Sequence, residues 1–179
     1  MTVDIVTPHL RPVTPDDAAA IAAIYAYYVD HTVVTFEEEA PDAAEMARRI
    51  ATTVIDYPWL VAEQDGRLVG YAYGRPYHTR SAYRWTCETG IYLAHDRRAR
   101  GTGRALYTAL IAALAERGFI TAIAAISVPN DESTRFHEAL GFVAVGRFAG
   151  VGFKHGGWQD VGYWQRDFVM PRPAAPQSR

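Results

Sequence analysis

The run Arg97-Arg98-Ala99-Arg100-Gly101-Thr102-Gly103-Arg104 constrains the fold of this chain more than any other segment. Before it, Trp85 to Leu93 has the β-branched and aromatic content of an extended segment. After it, Leu106, Leu110, Ile111 and Leu114 share one helical face as far as Arg117, where Gly118 is placed to cap the helix. A strand, a glycine turn and a helix in that order aim backbone N–H groups and the positive end of the helix dipole at one point, which favours phosphate. Arg97, Arg98, Arg100 and Arg104 add bidentate donors for phosphate oxygens. A solvated tight turn is the alternative for a bare Gly-x-Gly, and the arginines weigh against it. The spacing fits neither a Walker P-loop nor a dinucleotide fingerprint, which needs a third glycine where Leu106 stands.

The rest of the chain reads as one α/β domain over residues 1–170. Thr14 before Pro15-Asp16-Asp17 gives an N-cap, a proline in the first turn and two acids. The helix they open carries Ile21, Ile24, Tyr25 and Tyr28 on one stripe to about His31. Val33 to Glu38 is predicted as a strand, and Pro41-Asp42 opens a second helix with Met46, Ile50 and Val54. Trp59 to Glu63 and Arg67 to Gly74 form a hairpin about Asp65-Gly66, followed by a loop from Arg75 to Arg84. Ile120 to Val128 is a buried-type strand, Asn130 starts a helix that Gly141 ends, and Gly152 to Phe168 reads as a hairpin. Residues 171–179, Pro-Arg-Pro-Ala-Ala-Pro-Gln-Ser-Arg, are expected to form a disordered tail.

Composition excludes rather than identifies. Of 179 residues, 49% are apolar and the net charge is −2, which argues against nucleic acid as the main partner. Cys87 is the single cysteine, so neither an intrachain disulfide nor a thiolate-built zinc site is expected. The first residues lack the basic and apolar regions of a signal peptide, and no window suits a membrane helix. These features point to a reducing cytoplasm.

Arg98-x-x-Gly-x-Gly103 before a helix resembles the pyrophosphate motif of the GNAT acetyltransferases. Tyr83-Arg-Trp-Thr-Cys-Glu88, Val128-Pro-Asn-Asp131, His137-Glu-Ala-Leu-Gly141 and Gly152-Phe-Lys-His-Gly-Gly-Trp-Gln-Asp-Val-Gly-Tyr-Trp-Gln165 narrow the match. Together they resemble the phosphinothricin and methionine sulfone N-acetyltransferase family, from about Leu10 to Phe168. The resemblance implies a mixed, mostly antiparallel central sheet flanked by helices, acetyl-CoA as co-substrate, no metal, an amino-acid-like amine as acceptor, and a homodimer.

It also assigns residues. Acetyl transfer to an amine that arrives protonated needs a general base, and Glu88 falls on the family's glutamate. His137 stands where many relatives carry a tyrosine, as acid for the departing thiolate or as a second base. Ile91, Tyr92 and Leu93 are expected to meet the pantetheine arm through their backbone. Arg98, Ala99, Arg100, Gly101, Thr102, Gly103 and Arg104 are expected to hold the pyrophosphate, and Asn130 to contact the cofactor or simply cap its helix. Phe36, His78, Arg80, Ser81, Ala82, Tyr83 and Val161 are expected around the acceptor, with Lys154, His155, Trp158 and Val161 completing the pocket across a dimer. His78 replaces a lysine of herbicide-detoxifying members. One fixed charge is lost, so methionine sulfone or sulfoximine is favoured over phosphinothricin. Cys87 is read as packing rather than as a nucleophile, since direct transfer needs no acyl-enzyme. Acetylation of a peptide or protein amino terminus is the enzymatic alternative, and a non-catalytic acyl-CoA-binding module is the other.

Overall fold

The computed structural model describes residues 8–96 and 101–174, so Arg97, Arg98, Ala99 and Arg100 lie outside the described residues, as do 1–7 and 175–179. Strands and helices follow in the order β1 (His9–Pro12), α1 (Ala18–His31), α2 (Ala43–Thr53), β2 (Trp59–Gln64), β3 (Arg67–Pro76), β4 (Thr86–Leu93), α3 (Thr102–Glu116), β5 (Thr121–Val128), α4 (Asp131–Glu138), β6 (Val143–Lys154) and β7 (Gly157–Asp167). One sheet holds all seven strands in the order β1-β2-β3-β4-β5-β7-β6. Only the β4–β5 pair is parallel; the others run antiparallel.

Alternation along the strands builds a core on each face, because successive side chains point to opposite sides. Ala62, Val69 and Ala122 pack with Leu106, Leu110 and Leu114 of α3. Val61 and Tyr71 pack with Ile21 and Val29 of α1 and Ile50 of α2. The capping signals act as the sequence suggests. The Asp17 carboxylate accepts from Thr14 N at 2.7 Å and Oγ1 at 3.0 Å, and Asp42 accepts from Glu45 N at 2.8 Å. Cys87 is buried in the α3-side core, as packing.

Three boundaries differ from expectation. The hairpin expected over Gly152 to Phe168 begins at Val143, because β6 pairs with β7 from Val143 opposite Gln165 onward. Residues 33–38 form no strand. The segment crosses as a strap whose polar groups bond to side chains instead of a neighbouring strand. Tyr25 Oη lies 2.6 Å from Thr35 Oγ1 and donates to Glu37 at 2.9 Å, Arg49 grips Glu37 at 2.8 and 3.1 Å, and Lys154 Nζ donates to Thr35 O at 2.9 Å. Arg75 and Pro76, predicted in a loop, extend β3 by pairing with Glu88 and Cys87. The loop that remains contains one turn of 3-10 helix, Ser81–Tyr83.

Candidate active site

The parallel β4–β5 pairing spans only Thr86–Glu88 against Thr121–Ile123. Beyond it β4 continues to Leu93 along β3, while β5 continues to Val128 along β7. The two strands therefore part just past Glu88. Backbone groups of β4 on that side face a cavity of about 920 Å³ rather than a partner strand, and Gly90, Ile91, Tyr92 and Leu93 line it. The mouth of α3 closes the same cavity with Gly101, Gly103 and Arg104. Gly101 has φ +92, a left-handed conformation that side chains rarely adopt. At Gly103 a Cβ would lie 3.2 Å from Leu93 Cδ1, so this glycine lets the helix start sit close against β4. A free strand edge leading to a helix amino terminus suits a long, polar, phosphate-bearing chain.

Glu88 stands at the apex of the divergence, half-buried and ion-paired with Arg75. Phe36 and Val161 line the same cavity. Phe36 is seated on Gly152, where a Cβ would come within 2.2 Å of the ring.

The profile of the acetyltransferase (GNAT) domain matches residues 10–162. The chain belongs to the GNAT acetyltransferase family. Phosphinothricin N-acetyltransferase of Streptomyces viridochromogenes is 42% identical over 93% of this chain and 91% of its own length. The L-methionine sulfoximine/L-methionine sulfone acetyltransferase of Salmonella typhimurium is 32% identical over 90% and 94%. Among solved structures, a Sinorhizobium meliloti GNAT phosphinothricin acetyltransferase in complex with acetyl-CoA aligns with TM-score 0.87 at 38% identity, covering 90% of this chain and 89% of that one. The yncA protein of Salmonella typhimurium, solved with its cofactor acetyl-CoA, aligns with TM-score 0.91 at 29% identity, covering 96% and 99%.

In this GNAT enzyme the predicted residues divide into two groups. Glu88, His137, Ile91, Tyr92, Leu93, Gly101, Gly103, Arg104, Asn130, Phe36 and Val161 come together around one cavity. Asn130 also caps α4, accepting from Ser133 N at 3.1 Å. Thr102 is buried at the start of α3, and its Oγ1 has no hydrogen-bond partner among the described residues. His78, Arg80, Ser81, Ala82 and Tyr83 do not line the cavity of the single chain. They are exposed, and the rings of His78 and Tyr83 cluster with Tyr77. Lys154 is buried under the strap, whereas His155 and Trp158 are exposed.

His137 is more constrained than its sequence position suggests. It is buried, and its Nδ1 lies 2.8 Å from Ser133 O, an atom that can only accept, so Nδ1 carries the ring proton. Nε2 then accepts from Tyr107 Oη at 3.1 Å, and Tyr107 Oη lies 2.6 Å from Thr89 Oγ1. Thr89 lines the cavity, so a hydroxyl chain links the cavity wall to the imidazole. Tyr107 was not singled out by sequence reasoning. Its only signal was a hydroxyl on the buried stripe of α3, one turn after Gly103.

Burial holds the His137 pKa below its ordinary value, the Ser133 carbonyl opposing only in part. The unfolded imidazole, near 6.5, binds a proton that the native one refuses, so stability falls as pH drops below that value. We expect a slope of about 1.4 kcal/mol per pH unit from this group until the native pKa is passed. The slope should be missing in His137→Gln when urea melts are compared across about pH 7.5 to 5.5, the range that brackets an ordinary imidazole pKa of roughly 6.5. Parallel pH dependence in the two proteins would remove His137 as its source.

Proposed function

We propose that this chain transfers the acetyl group of acetyl-CoA to the α-amine of an L-amino acid or a toxic analogue of one, such as methionine sulfone, methionine sulfoximine or phosphinothricin. The observation that carries this reading is the parting of β4 from β5 immediately beyond Glu88, which puts a carboxylate at the apex of the cleft that the free edge of β4 lines. The names of the relatives supply the acceptor class.

Acetyl-CoA fits the residues present: an unpaired strand edge for the pantetheine arm, and the glycine-bearing start of α3 with Arg104 for the pyrophosphate. When bound it supplies the thioester carbonyl. Glu88, directly or through a water, takes the proton from the acceptor's ammonium group. The freed nitrogen attacks the carbonyl carbon, and backbone N–H groups of Gly90 to Leu93 face the oxygen that gains charge. The carbon–sulfur bond then breaks. A thiol with an ordinary pKa near 8.5 is a good leaving group, and the proton lost by nitrogen as the amide forms balances the one the sulfur takes up. No protein acid is required at that step. His137 therefore serves as a positioning residue, fixing Tyr107 and through it the Thr89 hydroxyl.

A homodimer in a reducing cytoplasm completes the reading. Val143, Val145, Phe148, Val151 and Phe153 on β6 and Trp158 at the start of β7 are exposed, and β6 is an edge strand. Apolar side chains on an unpaired edge are the usual mark of a partner surface. A second copy there would bring its own hairpin beside the exposed loop of His78, Arg80 and Tyr83. Phe148→Asp combined with Trp158→Asp should convert a dimer to a monomer in light scattering and raise the acceptor KM. A wild-type chain that is monomeric at micromolar concentration would end this part of the reading.

Release of free CoA across a panel of amines tests the function. Acetylation of the amino acids and not of peptide amino termini is expected. Binding of acetyl-CoA without transfer to any amine would leave the acyl-CoA-binding module as the better account.

A further inference from the structure

Two other arginines of the fold, Arg11 and Arg49, each divide their donors between two carboxylates of the chain itself. Arg11 forks onto Asp17 at 2.7 and 2.8 Å and reaches Glu63 at 2.7 Å. Arg49 holds Glu37 through two nitrogens and Glu45 through a third. Arg75 differs. Its side chain makes one hydrogen bond among the described residues, through Nη2 to Glu88 Oε1. A guanidinium has five N–H donors, so four remain unengaged. The side chain is 53% exposed, and it lines both the large cavity and a smaller one of about 320 Å³ bounded by Trp59, Tyr73 and Glu37.

The backbone fixes this arrangement. Arg75 and Glu88 are register partners across β3 and β4, so both are carried by paired strands rather than by a loop. One site thus presents a cation and an anion side by side at the apex of the cleft. A free α-amino acid carries the matching pair, an ammonium and a carboxylate on one carbon. Laid antiparallel to Arg75 and Glu88, each of its charges meets an opposite one, and a neutral ligand enters a neutral pair.

Accepting the amino-acid acetyltransferase reading, on which this rests, we infer that Arg75 anchors the α-carboxylate of the acceptor and so presents its amine to Glu88. The guanidinium keeps Nη2 on Glu88 and offers its remaining donors to the carboxylate, a charge-assisted contact of the stronger kind. The same anchor acts against peptide amino termini and simple amines. Both lack the α-carboxylate and would leave the donors of Arg75 without an anionic partner.

The test compares L-methionine sulfone and L-phosphinothricin with their α-carboxamides, using the full chain and variants Arg75→Gln and Arg75→Lys. Melting temperature and acetyl-CoA affinity show whether each variant is intact. We expect the wild type to favour the acids. Arg75→Gln should lose roughly 30- to 100-fold in kcat/KM on the acids, chiefly through KM, and less than about 3-fold on the amides. Arg75→Lys should recover part of the loss on the acids alone. Equal losses on acids and amides would overturn the anchor, because Arg75 would then act only on Glu88. An unchanged acid KM in Arg75→Gln would overturn it too. Failure of the wild type to acetylate any of the four compounds would remove the amino-acid reading itself, and the anchor with it.

Discussion

Glu88→Gln should lower kcat by about 10²- to 10⁴-fold, the usual contribution of a positioned general base, while acetyl-CoA affinity changes less than about 2-fold. Glutamine keeps the length of glutamate, and its amide oxygen can still accept from Arg75, so the local packing survives. What it lacks is a site for the proton. The groups that would hold acetyl-CoA lie farther along β4 and at the start of α3, and Glu88 sits at the closed end of the cleft. Binding and chemistry are therefore separable in one variant. Single-turnover acetylation of methionine sulfone, read beside calorimetric titration with acetyl-CoA, makes the comparison. Turnover within a few-fold of wild type would remove Glu88 as the base. A parallel loss of acetyl-CoA binding would mean the substitution had disturbed the cleft instead.

Most of the fold is legible in the sequence because its signals are local. The hairpin at Asp65-Gly66 has positive φ at both residues, and Gly118 and Gly141 end their helices with positive φ, as their positions suggest. The strap at 33–38 misleads for a physical reason. Its Val, Thr and Phe content matches a strand, yet a strand needs a partner edge, and here β1 and β6 are the outer strands. Distant side chains satisfy the segment instead: Tyr25, Arg49 and Lys154, the last of them 119 positions from Thr35. No window of sequence contains that information.

The candidate site shows the same division. Glu88 and the Gly101–Gly103 turn are carried by contiguous motifs and stand out early. Arg75 and Tyr107 meet Glu88 and His137 only across strands or between helices, and the sequence shows them as no more than a loop arginine and a core tyrosine. The exposed loop of His78, Arg80 and Tyr83 is the converse case. A family motif marks it, but the cavity of one chain does not include it.

Gly103→Val should weaken acetyl-CoA binding by about 100-fold and lower stability by about 1–3 kcal/mol, the range for forced overpacking. The two glycines of the turn are required for different reasons, and the substitutions should separate them. At Gly101 a Cβ would meet nothing within 4 Å among the described residues, so the constraint there is the backbone angle, φ +92. Gly101→Ala should cost about 1–2 kcal/mol of strain and leave the position of α3 nearly intact. Gly103 is a matter of contact. Its Cβ would lie 3.2 Å from Leu93 Cδ1, 3.7 Å from Phe136 Cε2 and 3.9 Å from Ile91 Cδ1, so alanine is tight and valine adds two further methyls to a crowded spot. The expected response is that the start of α3 lifts away from β4, carrying its N–H groups off the line that the free strand edge defines. Phosphate recognition depends on that line, because fixed backbone donors cannot follow a displaced ligand as a flexible arginine can. Titration calorimetry with acetyl-CoA should therefore rank affinity wild type, then Gly103→Ala, then Gly103→Val. If Gly103→Val binds acetyl-CoA like the wild type, the close seating of α3 on β4 is not what builds the cofactor site.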